Sequence, residues 1–195
     1  MAILPAIKVA RPIHWVKNLS LFAAILLTGM LFEKGLFTKV FWAFMAFNFA
    51  TSATYIFNDI IDAKQDRLHP VKKSRPVASG QLSVEFAALE TIILSLAALT
   101  VAQLLGNIFF LLTAGYLVMQ AFYSLGLKSL PIIDILIIAA GFIIRVYAGA
   151  FVIDAHLSVW FLLCVISVAL FLASGKRRAE LNLLKETEGQ TRLSL

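Results

Sequence analysis

The fold is decided by residues 91–127, which read TIILSLAALTVAQLLGNIFFLLTAGYLVMQAFYSLGL and carry no charged side chain. A helix needs about 20 apolar residues to cross a bilayer, so this run is long enough for two crossings. Gly106-Asn107 divides the run near its middle, and both residue types tolerate the backbone angles of a tight reversal. The run therefore predicts a transmembrane helical hairpin.

The composition of the whole chain agrees with that prediction. Of its 195 residues, 61% are hydrophobic and 14% are charged, whereas a soluble domain has about 45–50% and about 25%. The single cysteine, Cys164, excludes an intrachain disulfide and a cysteine-based metal site. We predict an all-α integral membrane protein, a single transmembrane helical domain over residues 1–195. Its predicted spans lie near 19–32, 40–58, 84–105, 108–127, 132–151 and 157–175.

Positive charges are distributed unevenly between the two sides of such a bundle. Of the 17 Lys and Arg residues, all but Lys34, Lys39 and Arg145 fall on the side that holds both termini. By the positive-inside rule that side is cytoplasmic. The net charge of +6 is thus explained by membrane orientation, and we predict no nucleic-acid partner. We expect the bacterial cytoplasmic membrane, with both termini and the active site on its cytoplasmic face.

Three aspartates, Asp59, Asp62 and Asp66, lie at the predicted cytoplasmic end of the second span. At about 100° per residue, their spacing places them within roughly 60° of one helix face. Like charges at this spacing destabilise a helix and oppose its dipole, so a cation is expected to offset them. We predict that these carboxylates bind Mg²⁺, which completes its shell with water and phosphate oxygens. The basic loop that follows would hold a diphosphate; its cations are Lys72, Lys73 and Arg75. A solvated helix end is the alternative for any one aspartate.

The wider pattern around these aspartates resembles a known motif. It reads Asn58-Asp59-x-x-Asp62-x-x-x-Asp66-x-x-His69-Pro70-x-Lys72-x-x-Arg75-Pro76-x-x-x-Gly80 and is similar to the first Asp-rich motif of the UbiA superfamily of intramembrane prenyltransferases. The resemblance implies a bundle of usually nine helices, in which a metal and a diphosphate are held by Asn58, Asp59, Asp62 and Asp66. It also implies a catalytic role for Asn58, Asp59 and Asp62. With six spans present, we expect the chain to be C-terminally incomplete, or to be completed by a second copy or another polypeptide.

Further stretches narrow the resemblance to the phosphoribosyltransferase branch of that superfamily. They are Arg11-Pro12-Ile13-His14-Trp15-Val16-Lys17-Asn18, residues 123–128 followed by Asp134, and Gly175-Lys176-Arg177-Arg178. Aromatic prenyltransferases typically carry a second Asp-rich motif, where this chain has Asp134 alone. The branch implies Mg²⁺-dependent transfer of a phosphoribosyl group from 5-phosphoribosyl 1-diphosphate to a polyprenyl phosphate such as decaprenyl phosphate, for cell-wall precursor synthesis. The substrate-binding residues so implied are Lys17, Lys72, Lys73, Arg75, Tyr123, Lys128, Asp134, Lys176 and Arg177.

Two alternatives stay open: transfer of a prenyl group from a prenyl diphosphate to an aromatic acceptor, and a non-catalytic membrane subunit or inactive fragment. Arg145 falls within the fifth predicted span, about 16 Å along one helical stripe from Asp134. A charged side chain at this depth is costly unless it is paired or faces a wet cavity. We therefore predict a polar cavity along the stripe, with Arg145 structural and paired.

Overall fold

The structure, a computed structural model, describes residues 3–193, and it describes side chains over this range except at positions 3, 131, 176 and from 180 onward. All regular elements among these residues are helices. They are α1 (Ile3–Ala10), a 3₁₀ segment (Pro12–Phe22), α2 (Ala23–Leu27), α3 (Leu36–Asp66), α4 (Val84–Leu105), α5 (Asn107–Leu125), α6 (Pro131–Val152) and α7 (Val159–Leu193). Three short 3₁₀ turns, Met30–Phe32, Lys72–Ser74 and Leu127–Ser129, lie in the connections.

Five helices, α3 to α7, are long and apolar enough to cross a bilayer. They correspond to the second to sixth predicted spans, and Gly106 turns the chain between α4 and α5 with a φ of 128°. The predicted hairpin is therefore confirmed. Helix α3 has 31 residues and is about 46 Å long, whereas the hydrocarbon core is about 30 Å thick. Its last turns, which carry the aspartates, therefore extend beyond that core.

The first predicted span differs from the structure. In place of a span over 19–32, the chain forms the 3₁₀ segment and the five-residue α2, and Gly29 follows with a φ of 72°. Pro12–Leu27 contains fewer residues than any of the five crossing helices. Because a 3₁₀ helix rises about 2.0 Å per residue, the combined segment still covers roughly 30 Å. Hydropathy alone could not reveal this winding, because it reports apolar length and not helix type.

Small residues allow the helices to pack closely around α3, as is common in membranes. Ala43, Ala46 and Ala50 of α3 are fully buried in the main core. Phe47 packs against the rings of Phe109 and Tyr116 on α5, with centroids 5.8 and 5.5 Å away. The core therefore joins α3 to α5. In contrast, only a small part of the apolar stretch of α4 is buried inside the bundle, which leaves that helix an outward apolar face suited to lipid.

Candidate active site

A cavity of about 620 Å³ lies between the inner faces of α3, α5, α6 and α7, within the range of small-molecule sites. Seven basic side chains line it, namely Arg11, Lys17, Lys72, Arg75, Lys128, Arg145 and Arg177. The acidic side chains that line it are Asp62 and Asp134. Because positive charge exceeds negative charge in this confined space, the cavity favours a ligand with several negative charges.

Asn58 and Asp62, one turn apart on α3, form an oxygen pair on the cavity wall. Asn58 Nδ2 donates to Asp62 Oδ2 at 3.0 Å. Lys128 Nζ donates to Asn58 Oδ1 at 3.3 Å and pairs with Asp62 Oδ1. Two hard oxygens thus converge on one cation and face a cavity with room for further ligands. This donor set fits Mg²⁺, which takes one or two carboxylates and fills its other positions with water and phosphate oxygens.

Asp59 and Asp66 lie on the other edge of the same helix face, where arginines hold them. Asp59 Oδ1 pairs with Arg11 at 2.6 Å and with Arg75 at 3.3 Å, and Asp66 Oδ2 pairs with Arg75 at 2.6 Å. Asp59 is only 1% exposed, and the second oxygen of its carboxylate is buried with no hydrogen-bond partner among the described atoms. Neither aspartate lines the cavity. These ion pairs attach the loop after α3, and the residue that joins α1 to the 3₁₀ segment, to α3.

The structure does not bring the three predicted carboxylates to one point, and metal binding by Asp59 and Asp66 stays a prediction. Over the part of the chain with described side chains, no three acidic, His or Cys residues lie together in a metal-binding group. The roughly 60° arc that joins Asp59, Asp62 and Asp66 is wide enough for its two edges to face different neighbours. Asp62 faces the cavity, whereas the other two face Arg11 and Arg75. Spacing along a single helix could not show this separation, because the neighbouring arginines come from other segments.

Asp134 joins three helices at the same end of the cavity. Tyr123 on α5 donates its hydroxyl proton to Asp134 Oδ1 at 2.8 Å. Arg177 on α7 lies 3.9 Å from the other carboxylate oxygen. All three side chains line the cavity. The structure thus brings Tyr123, Asp134 and Arg177 to the cavity that Asn58 and Asp62 also line, and their role in substrate binding stays a prediction.

Arg145 lies at the opposite, inner end of the cavity and is 7% exposed. Its Nε donates to Asn18 Oδ1 at 2.6 Å, and its two Nη atoms donate to Gly141 O, Tyr116 Oη and Thr51 Oγ1 at 2.5, 2.8 and 3.4 Å. The expected stripe from Asp134 to Arg145 therefore does face a polar cavity. Arg145 is hydrogen-bonded to neutral acceptors, and a purely structural role for it stays a prediction.

Lys17 extends from the 3₁₀ segment, outside the five crossing helices, and also lines the cavity. Its neighbour in the chain, Asn18, accepts a hydrogen bond from Arg145 Nε at 2.6 Å. Lys17 and Arg145 therefore belong to the same end of the cavity.

Not every predicted residue lies at the cavity. Lys73 is exposed and does not line it, and the side chain of Lys176 is outside the described part of the chain. Conversely, Tyr116 and Gln120 line the cavity but were not predicted as site residues. Their spacing could have predicted this placement, because polar side chains recur on one face of the otherwise apolar α5. These residues are Tyr116, Gln120, Tyr123 and Ser124.

Comparison with known proteins identifies the same family that the Asp-rich motif of residues 58–80 resembles. The chain is 38% identical to the decaprenyl-phosphate phosphoribosyltransferase of Mycolicibacterium smegmatis, over 97% of this chain and 61% of that protein. It is also 38% identical to the protein of that name from Corynebacterium glutamicum, over 97% of this chain and 58% of that protein. The chain thus spans about three fifths of the length of these curated relatives.

A solved structure has the same fold. The UbiA homolog from Archaeoglobus fulgidus bound to GPP and Mg²⁺ superposes with a TM-score of 0.73 at 22% identity, over 85% of this chain and 60% of that one. Residues 19–176 match the UbiA prenyltransferase family, and this range contains most of the residues that line the cavity. The chain is an integral membrane protein that belongs to the UbiA prenyltransferase family.

Proposed function

We propose that this chain transfers a 5-phosphoribosyl group from 5-phosphoribosyl 1-diphosphate to a polyprenyl phosphate within the membrane. The observation that carries the proposal is the cation-rich cavity with the Asn58–Asp62 oxygen pair on its wall. Donor and acceptor both carry phosphates, and a cavity with this charge suits them better than it suits a neutral ring. The name of the curated relatives supports decaprenyl phosphate as the acceptor, and a role in cell-wall precursor synthesis stays a prediction.

Asn58 and Asp62 are the residues that would hold Mg²⁺, since their oxygens already share one cation, the Lys128 ammonium. When bound, the ion stabilises negative charge on the diphosphate leaving group. The UbiA homolog from Archaeoglobus fulgidus, bound to GPP and Mg²⁺, supports this use of the fold. Lys128 would then bind a phosphate oxygen in place of the Asp62 carboxylate.

In the proposed reaction, an oxygen of the acceptor phosphate forms a bond to C1 of the ribose. The bond between C1 and the diphosphate oxygen breaks, and its electron pair leaves with the diphosphate. The chain need not supply a general base, because a phosphate monoester is already anionic near pH 7. The residues that bind phosphates at this end are the cavity-lining cations Lys72, Arg75, Lys128 and Arg177, which stabilise the charge that develops on the leaving group.

The lipid tail of the acceptor needs an apolar surface next to these charges. Ile138 and Phe142 of α6 and Leu172 of α7 provide one, since all three line the cavity. We infer that the tail lies along this wall and that the basic loops face the cytoplasm, from which the soluble donor enters. The positive-inside distribution of Lys and Arg supports this orientation.

The proposal is tested with the purified chain in lipid vesicles, given ribose-labelled 5-phosphoribosyl 1-diphosphate, decaprenyl phosphate and Mg²⁺. Label is expected in the lipid extract, and Asp62→Asn should lower it by about 100-fold or more. Glu33→Gln is the matched control, because it also removes one carboxylate charge but lies outside the cavity. A parallel reaction contains a labelled prenyl diphosphate and an aromatic acid. Label in that product alone would replace the proposal by prenyl transfer, and label in neither would favour a non-catalytic subunit.

A further inference from the structure

The inner end of the cavity contains two cations that no carboxylate neutralises. Arg145 and Lys17 both line it, and Asn18, the residue after Lys17, accepts a hydrogen bond from Arg145 Nε at 2.6 Å. Within the part of the chain whose side chains are described, neither has an ion-pair partner. Arg145 therefore places a positive charge within the bundle. Such a charge is costly within a membrane protein unless a counter-charge or water offsets it.

The hydrogen bonds of Arg145 fix its direction but leave its charge in place. Its acceptors are neutral oxygens of Asn18, Thr51, Tyr116 and Gly141. Gly141 also gives the guanidinium room, because a Cβ at that position would lie 3.3 Å from Arg145 Nη1 and 3.5 Å from Gln120 Nε2. The guanidinium is thus held in place beside a cavity that also contains an amide donor. An arrangement with a fixed direction and an uncompensated charge suits an anionic ligand.

The inner end is also separate from the proposed diphosphate position. Arg145 contacts Thr51 on α3, and the Asn58–Asp62 pair begins about 10 Å further along that helix. The two ends of the cavity therefore differ in chemistry as well as in place. The outer end holds the oxygen ligands for a metal together with most of the lining cations, whereas the inner end holds Arg145 and Lys17 away from the two lining carboxylates, Asp62 and Asp134. A ribose with phosphates on two different carbons has the right kind of shape to reach from one end to the other.

We propose that Arg145 and Lys17, with Gln120 beside them, form a second anion-binding site that takes a phosphate monoester. This inference deepens the proposed function and rests on it for the identity of the ligand. The monoester would be either the 5-phosphate of the donor or the head group of the polyprenyl phosphate. Both present the same dianionic group, and they differ in whether a sugar or a prenyl chain is attached.

The test measures thermal unfolding of the full chain in detergent during titration with ribose 5-phosphate and, separately, with geranyl phosphate. At least one should stabilise the wild-type protein, and the effective one identifies the source of the phosphate. Lys17→Met and Arg145→Gln should weaken the apparent affinity by about tenfold or more, as expected for loss of a charged hydrogen-bond donor. Both variants should respond to Mg²⁺ with diphosphate as the wild type does. Lys34→Met, which removes a lysine outside the cavity, is the matched control.

Lys17→Met keeps the test decisive if Arg145→Gln fails to fold, because the Lys17 ammonium has no hydrogen-bond or ion-pair partner among the described residues. The inference is overturned if neither monophosphate stabilises the wild type, or if Lys17→Met responds to both as the wild type does. Its failure is distinct from failure of the proposed function. Phosphoribosyl transfer with no effect of Lys17→Met on either affinity would overturn the inference alone. Monophosphate binding that depends on Lys17, without any transfer, would support the site and contradict the activity.

Discussion

Gly149 provides the sharpest test of how the fold positions the cavity. A Cβ added at this position would lie 2.0 Å from the carbonyl oxygen and 2.8 Å from the carbonyl carbon of Leu21. Both atoms belong to the backbone of the 3₁₀ segment, so no side-chain rotation can relieve the contact. Gly149→Ala must therefore push α6 and the 3₁₀ segment apart by about 1 Å or more, to reach ordinary van der Waals separation.

The expected cost follows from this displacement. Overpacking of a well-packed core costs about 1–3 kcal/mol, and for a chain of this size each kcal/mol lowers the melting temperature by about 2–4 °C. We expect Gly149→Ala to melt about 2–12 °C below the wild type in detergent, measured by the fluorescence of its tryptophans. Because Leu21 is four residues from Lys17, the same change should also weaken binding at the inner end of the cavity.

Gly115→Ala is the matched control. Gly115 lies within α5, and a Cβ there would have nothing within 4 Å. Alanine is favoured over glycine in a helix by about 1 kcal/mol, so this variant should melt at or slightly above the wild-type temperature. Equal melting of Gly149→Ala and the wild type, or an equal loss in both variants, would refute the close approach of α6 to the 3₁₀ segment.

The other predictions concern single side chains at the outer end of the cavity. Asp62→Asn should lower phosphoribosyl transfer by about 100-fold or more, because it removes one charge from the proposed metal ligands, whereas Glu33→Gln should leave the rate unchanged. Arg75→Gln should lower both the melting temperature and the affinity for the donor, because Arg75 bridges two aspartates and lines the cavity. Lys73→Gln, two residues earlier and exposed, should change neither, and equal effects would contradict the placement of this loop. Tyr123→Phe should weaken donor binding by about three- to tenfold, the value of one hydrogen bond. An unchanged donor KM would show that Asp134 does not need the hydrogen bond from Tyr123 to bind the donor.

The sequence predicted the crossing helices well because their signal is local. Apolar length and the absence of charge decide whether a segment crosses, and both can be counted in residues 91–127. The first span was predicted poorly because its conformation does not depend on local sequence alone. Its winding depends on a hydrogen bond from Asn18 Nδ2 to Asn48 Oδ1 on α3, 2.7 Å long, and on the close contact with Gly149. Both partners are distant in sequence.

The candidate site was also predicted only in part. The sequence placed Asn58, Asp62, Lys128 and Asp134 at one site, and the structure brings all four to one cavity. It could not decide which aspartates face that cavity, since the answer depends on arginines from two other segments. Charge alone suggested one acidic cluster. The structure shows an oxygen pair on the cavity side and an ion-paired edge behind it.

The two charged residues of α6 connect these observations. Asp134 and Arg145 have opposite charge, stand at opposite ends of the cavity, and each accepts or donates a hydrogen bond with a tyrosine of α5. In the proposed function, the oxygen pair at the outer end would hold the metal–diphosphate group, and Arg145 and Lys17 at the inner end would hold the monophosphate. A donor and an acceptor bound between them could then adopt only one relative direction. Exchanging the two charges, with Asp134→Arg and Arg145→Asp, should therefore abolish transfer even though the net charge of the cavity is unchanged.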